Sequence, residues 1–287
     1  MTNNSRSAIL LVSCPDQQGL VAALSTFISD KRGNILDLEQ YVDAEGGRFF
    51  MRVQWDLAEF AIDTADLPGA IGKLADRFDM DWRLHYSDER PRMAVFVSKY
   101  SHCMLDIFAR IQAGEWQVDI PCVISNHDDL RPLVENIGIE FHHLPVDAGN
   151  KAAQEQAALR LLREHDIDLI VLARYMQILS GEFIDHYPNR IINIHHSFLP
   201  AFPGARPYHS AHARGVKIIG ATSHYVTRDL DAGPIIEQDV THVTHNDAVD
   251  DLIHKGRDLE KLVLARAIWK HLQRKILVHG NRTVVFE

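Results

Sequence analysis

Two short segments carry side chains of the types and spacing that acyl chemistry needs. The first, Asn193-Ile194-His195-His196-Ser197-Phe198-Leu199-Pro200-Ala201-Phe202-Pro203-Gly204, continues an apolar run and ends in prolines and a glycine through which regular structure does not extend. The spacing predicts a strand to His195 and a loop beyond it. In a strand, residues two apart share a face, so the Asn193 amide and the His195 imidazole can converge on one substrate atom and polarise a carbonyl. An isolated Asn-x-His more commonly caps a loop. The second segment, Gly220 to Ile236, changes that balance: it reads as strand, polar loop and strand, with His224 at the first strand's end and Asp231 directly before Ala232-Gly233-Pro234. That turn sequence holds a carboxylate at a fixed, partly enclosed position, as a general base requires. Burial that raised the Asp231 pKa would help such a base near neutral pH.

These residues need a frame, and the chain divides into two patterns. Residues 7–87 read as strand, helix, two strands, helix, strand. The helices are predicted from Leu20, Val21, Leu24, Phe27 and Ile28 and from Leu67, Ile71, Leu74 and Phe78, and Asp43-Ala44-Glu45-Gly46-Gly47 supplies a hairpin turn. This βαββαβ order predicts a ferredoxin-like domain, with two helices on one face of a four-stranded antiparallel sheet. Ser87-Asp88-Glu89-Arg90-Pro91 marks the boundary, giving domains at 1–88 and 92–287. Beyond it, single apolar strands alternate with helices: strands at 93–97, 120–124, 139–144 and 169–173, helices at 103–112, 130–137 and about 152–165. Such continuous apolar runs suit a doubly wound, mostly parallel α/β (Rossmann-like) sheet, whose ligands sit beyond the carboxyl ends of the strands. The strand Ile191 to His195 aims its last residues there.

Composition narrows the function classes. Among 287 residues, 30 Lys and Arg face 39 Asp and Glu, a net charge of −9, which disfavours a hold on nucleic acid phosphates. Cys14, Cys103 and Cys122 have no paired spacing and read as buried thiols. The start, Met-Thr-Asn-Asn-Ser-Arg, leads into an apolar run too short for a signal sequence or membrane span, so a soluble cytoplasmic protein is expected.

Asn-Ile-His-x-Ser-x-Leu-Pro, then Gly-x-Thr-x-His, then Asp-x-Gly-Pro-Ile resembles the formyltransferase superfamily that uses 10-formyltetrahydrofolate. The resemblance runs from about Met93 to the C-terminus. It implies catalytic roles for Asn193, His195 and Asp231, with His224 orienting Asp231. The stretch Leu172 to Leu179 resembles the segment whose backbone binds the pteridine, implying contacts from Met176, Gln177 and Leu179; read without the resemblance, it is a strand passing into a core helix. Arg228, Asp229 and Leu230 form the other implied wall, and His196 and Ser197 are further implied substrate contacts. Transferases of the purine branch carry a Gly-rich loop for the acceptor's phosphate, but Ser98-Lys99-Tyr100-Ser101-His102-Cys103 has no glycine, and His196 stands where they usually have proline.

Cys14-Pro15-Asp16-Gln17-Gln18-Gly19-Leu20-Val21 resembles the opening of ACT domains, small regulatory modules that commonly bind amino acids. An ACT-like domain ahead of a formyltransferase-like one resembles the formyltetrahydrofolate deformylase family. That resemblance implies hydrolysis of 10-formyltetrahydrofolate to tetrahydrofolate and formate, supplying formate for purine biosynthesis and balancing the one-carbon pool. It further implies folate as the substrate with no separate cofactor or metal, an amino-acid effector such as glycine or methionine, homo-oligomers, and no nucleic acid or membrane partner. Formyl transfer to an amine is the closest alternative. A metal-dependent hydrolase using His195, His196, His224 and Asp231, and an amino-acid sensor that only binds folate, are the others. His142-His143 and Cys122 read as structural, and Asn126-His127-Asp128-Asp129 as a helix cap.

Overall fold

The computed structural model describes residues 6–147, 149–200 and 207–287. Residues 1–5 of the expected leaderless start and residues 201–204 of the expected loop lie outside the described residues. The chain forms two compact units, Met1–Glu89 with Gln273–His279 and Val284–Glu287, and Arg90–Leu272 with Gly280–Thr283. Part of the C-terminal segment thus groups with the first unit instead of wholly with the second.

In the first unit β1 (Ser7–Pro15), α1 (Leu20–Asp30), β2 (Asn34–Asp43), β3 (Arg48–Asp56), α2 (Leu67–Phe78) and β4 (Asp81–Tyr86) build an antiparallel sheet ordered β2-β3-β1-β4. This is the ferredoxin-like arrangement that the apolar spacing predicted. Leu20, Leu24 and Ile28 recur at helical spacing, as do Leu67, Ile71 and Phe78. Both rows bury against Leu10, Val12, Met51, Val53 and Trp55 on one sheet face. The opposite face is also covered, since Leu11 and Phe50 pack with Leu277 and Phe286.

The second unit runs β5 (Met93–Val97), α3 (His102–Gln112), β6 (Cys122–Ser125), α4 (Arg131–Glu135), β7 (Glu140–His143), α5 (Lys151–Glu164), β8 (Leu169–Leu172), α6 (Gly181–Asp185), β9 (Ile191–His195), α7 (Pro207–Arg214), β10 (Ile218–Tyr225), β11 (Ile235–His242) and α8 (Val249–Leu272). A two-stranded ribbon, β12 (Ile276–His279) and β13 (Arg282–Val285), ends the chain. The large sheet has the order β11-β10-β9-β8-β5-β6-β7. The five strands from β9 to β7 pair in parallel, and β10 and β11 add antiparallel partners. The chain turns outward from β5 through β6 to β7, then returns to place β8 on β5's other side. The strand order therefore reverses between β5 and β8, the point beside which ligands of such sheets sit, beyond the carboxyl ends of the strands.

Three local readings change. The stretch after β8 does not enter a helix: Arg174 has φ 62, and the backbone stays irregular until Ser180 caps α6 by accepting a hydrogen bond from the Phe183 N–H. Helix α4 is shorter than expected, and its cap position is Leu130, which makes no side-chain bond. Within the expected capping tetrad, Asn126 instead accepts a hydrogen bond from Ser98 (2.6 Å). Among the described residues no helix is long and apolar enough to cross a membrane.

Candidate active site

The four candidate catalytic side chains reach one another because of the register between β9 and β10. Asn193 stands opposite His224, and His195 opposite Thr222. Directly opposed residues project from the same sheet face, so Asn193, His195 and His224 all do. Thr222 is fully buried and fixes the outgoing loop: its hydroxyl donates to the Ser197 carbonyl (2.9 Å) and accepts from the Leu199 N–H (3.0 Å) and the Gln238 amide (2.9 Å). A register irregularity falls between Ser223 and His224, and such bulges re-aim side chains beside functional sites.

Asp231 comes from the loop between β10 and β11. Its backbone is left-handed (φ 53), a conformation Asp tolerates better than most residues. Gly233 lets the loop lie flat against β10, because a Cβ there would stand 1.8 Å from the Tyr225 carbonyl oxygen. The Tyr225 N–H donates to the Pro234 carbonyl (2.9 Å) across the same seam. These constraints put Asp231 Oδ2 3.2 Å from His195 Nδ1 and Oδ1 3.8 Å from His224 Nε2.

The hydrogen bonds assign the tautomers. His224 Nδ1 lies 2.9 Å from the Tyr225 carbonyl, which can only accept, so Nδ1 carries a proton. Its Nε2 lies 3.3 Å from the Asn193 amide nitrogen. His195 donates from Nδ1 to Asp231, while its Nε2 is buried with no hydrogen-bond partner among the described residues. Hydrogen bonds from His195 first, then His224, hold the Asp231 carboxyl well below its ordinary range despite burial. This is the reverse of the raised value that would favour a simple general base.

The four residues line a cavity of about 970 Å³. Met176, Gln177 and Leu179 line it too, as do His196, Arg228, Asp229 and Leu230. Ser197 is not on its wall; it is buried, and its hydroxyl has no hydrogen-bond partner among the described residues. Ser98 fixes the Met176 segment, accepting from the Met176 N–H (3.0 Å) while donating to Asn126, so one side chain bridges the two sides of the strand-order reversal. Glu155 holds the far end through the N–H (2.9 Å) and hydroxyl of Ser180. Because β9 ends at His195, adjacent His195 and His196 both reach the cavity, with ring centroids 5.1 Å apart.

Two groups near the site were not legible in the sequence. The tip of the C-terminal ribbon supplies Asn281, Arg282 and Thr283 to the cavity wall. Asn281 donates to the Ala232 carbonyl (2.8 Å) and Thr283 to that of Ile235 (2.5 Å), bracing the Asp231 loop. Arg228 is ion-paired with Asp185, whereas Arg282 has no ion pair among the described residues. The second group centres on Glu260 of α8, buried behind His196. It accepts from Tyr208 (2.6 Å) and pairs with His102 (2.8 Å) and Arg174 (3.5 Å). Burial pushes the Glu260 carboxyl up, but His102, Arg174 and Tyr208 outweigh it and hold the group below its ordinary range. Gly256 makes room for this cluster, since a Cβ there would fall 2.1 Å from the Tyr208 hydroxyl. Isolated polar residues far apart in sequence gave no signal of either.

Comparison with known proteins gives a uniform result. Residues 91–268 match the family model described as formyl transferase. The chain is 56% identical over 280 residues to a formyltetrahydrofolate deformylase of Synechocystis, covering 98% of each chain. It superposes on the crystal structure of a formyltetrahydrofolate deformylase from Pseudomonas syringae with a TM-score of 0.97 at 45% identity, over 100% of this chain and 96% of that one. A glycinamide ribonucleotide transformylase from Symbiobacterium toebii matches with a TM-score of 0.67 at 29% identity, over 71% of this chain and 98% of its own.

Two predictions follow from this geometry. A carboxyl whose folded pKa is depressed adds stability in full above its unfolded value, about 3.9 for Asp, and loses it as pH falls toward the folded value. Thermal melts of the native chain and of Asp231→Asn should therefore diverge above that pH and converge below it; a gap unchanged down to pH 3 would contradict the contact. Gly233→Ala should push the Asp231 loop off β10 and cut kcat by about 100-fold, the scale of an ångström-sized misplacement, with the fold retained by circular dichroism.

Proposed function

The chain belongs to the formyltetrahydrofolate deformylase family, and we propose that Asn193, His195, His224 and Asp231 are the groups with which it hydrolyses 10-formyltetrahydrofolate to tetrahydrofolate and formate. The observation that carries the assignment is the convergence of these side chains on one cavity wall, with Asp231 within 3.2 Å of His195.

Attack by water makes a C–O bond and sends the formyl oxygen's electrons outward; collapse breaks the C–N10 bond, and N10 takes a proton. The Asn193 amide N–H and a protonated His195, which donates from Nε2 as well as from Nδ1, are the proposed donors for the oxyanion, each such donor being worth roughly 3 kcal/mol. Asp231 is anionic at neutral pH and accepts the water proton as the C–O bond forms. Its depressed pKa makes stored protonation costly, so the proton passes on to N10 within the same collapse. His224 holds both Asn193 and Asp231 in place. The water supplies the acceptor, and no cofactor beyond the folate substrate enters.

Met176, Gln177 and Leu179 on one side and Arg228 to Leu230 on the other are the proposed pteridine walls, with His196 beside the reacting centre. The substrate's glutamate portion is dianionic, and Arg282, an uncompensated cation on the cavity rim, is suited to receive it. Against transfer to an amine, the deformylases match 98–100% of the chain, whereas the transformylase matches 71% of it. The ACT-like first unit is proposed to bind an amino acid such as glycine or methionine and to join subunits through its open edge strands, β2 and β4. Action in the cytoplasm belongs to the same reading.

Formate release from 10-formyltetrahydrofolate tests the assignment. Asp231→Asn should lose about 10²–10⁴-fold in kcat while still binding folate, and unchanged turnover would refute the assigned role. The same assay with glycine or methionine added reads the effector, and with amine acceptors added it reads transfer. Arg282→Ala should raise KM about 10-fold with kcat nearly unchanged, the scale of one lost charge-assisted contact, and Arg282→Lys should recover part of it. Equal KM values for the native and alanine forms would remove the tail contact.

A further inference from the structure

The amino ends of β6 and β7 lie on the sheet edge opposite to the one carrying Asn193 and His195. Cys122 opens β6 and stands opposite Glu140, which opens β7; His142 follows two residues later. Opposed and i+2 residues share a face, so all three project toward α5, whose C-cap residue is His165. The Cys122 sulfur and one ring nitrogen each from His142 and His165 lie within 4.8 Å of one another. The Glu140 carboxylate sits between the imidazoles, 3.1 Å from His142 Nε2 and 3.5 Å from His165 Nε2. Yet His142 Nε2 is buried and, among the described residues, has no partner in hydrogen-bonding geometry.

We propose that Cys122, His142, His165 and Glu140 form a binding site for a zinc-class divalent transition metal, separate from the catalytic cavity. A thiol, two imidazoles and a carboxylate are the donor set of a tetrahedral zinc site, and the sulfur and nitrogens select against magnesium and calcium. Bond lengths of about 2.3 Å to sulfur and 2.0–2.1 Å to nitrogen put neighbouring ligand atoms roughly 3.3–3.8 Å apart, so the three must close by about 1 Å. The partly exposed imidazoles can do this by side-chain rotation. Binding displaces the Cys122 thiol proton to solvent and leaves a metal–thiolate bond. The ion then clamps β6, β7 and the end of α5, replacing the direct approach of the imidazoles to Glu140 with bonds from both to the metal. The other group of this kind, His102, Cys103 and Glu260, is already satisfied: Glu260 takes the Tyr208 hydroxyl and His102, and the Arg174 cation stands 3.5 Å away.

The test is titration of the chelator-stripped full chain with Co²⁺, followed by displacement with Zn²⁺. One equivalent of Co²⁺ should bind with the visible bands of tetrahedral cobalt and a thiolate charge-transfer band. His142→Gln and His165→Gln should weaken binding by about 100-fold or more, and Glu140→Gln by about 10–100-fold. Cys122→Ser should remove the charge-transfer band and Cys103→Ser should not. Added Zn²⁺ should raise the native melting temperature but not that of the His142→Gln/His165→Gln double variant, with formate release equal in both. The absence of saturable binding, binding unchanged in the double variant, or loss of the band in Cys103→Ser would each overturn the site. The histidine variants alter partly exposed side chains, so they decide the matter even if Cys122→Ser fails to fold.

Discussion

Asp231 and His195 belong to different connections of the large sheet, and the contact between them constrains everything around the cavity. It needs β10 to pair with β9 in the register that sets His224 against Asn193 and Thr222 against His195. It needs the loop after β10 to turn back through a left-handed aspartate and to lie close enough that only glycine fits at 233. It also needs the loop after β9 to be tied down, which Thr222 does from inside the sheet through Ser197, Leu199 and Gln238. No helix carries the four side chains. They sit on rigid strand ends and one strapped loop, the arrangement that holds reacting groups within the tolerances catalysis demands.

The same contact sets the character of the carboxylate. Burial alone would make Asp231 a better base, but hydrogen bonds from His195 and His224 prevail and make it a weaker one. A weak base can assist water only if the proton it takes is not kept. In the proposed reaction the leaving N10 is that outlet, so the hydrogen bonds that depress the pKa favour a relay over a stored proton. They also keep Asp231 charged throughout the neutral range, and the His195 Nδ1–H is directed at Asp231.

Much of the fold was legible because its signals are local. Helix α2 and strands β5 and β9 have the bounds their apolar spacing predicted, and the alternation of single strands with helices gave the parallel sheet. The catalytic segments stood out because function keeps polar residues at strand ends, where packing would place apolar ones. What the sequence hid is non-local. Glu260 lies in the long helix α8, where one acidic residue among many carries no mark of burial; only the structure brings His102, Arg174 and Tyr208 around it. Arg282 and Asn281 lie on a ribbon tip whose place beside the Asp231 loop follows from tertiary packing. The segment after β8 misled for a different reason: Met-Gln-Ile-Leu has helical composition, but the Ser98 and Glu155 hydrogen bonds hold its backbone irregular.

The choice between water and an amine as acceptor turns on the stretch after β5. A phosphorylated acceptor needs backbone N–H groups free to approach it, which glycines permit. Here Lys99 and Tyr100 are exposed, but Ser98, His102 and the Tyr100 ring are engaged within the protein. Ser98 serves Asn126 and Met176, His102 serves Glu260, and the Tyr100 ring lies 5.3 Å from the Arg174 guanidinium and 5.4 Å from that of Arg257. Each contact uses a group that could otherwise meet an anion, and Glu260 spends the positive charge of Arg174 on an internal carboxylate. These cations are engaged within the protein, and separating Glu260 from them would be costly, about 3–5 kcal/mol where such a pair is broken, so they are not free to hold a second anion, whereas water needs none of them.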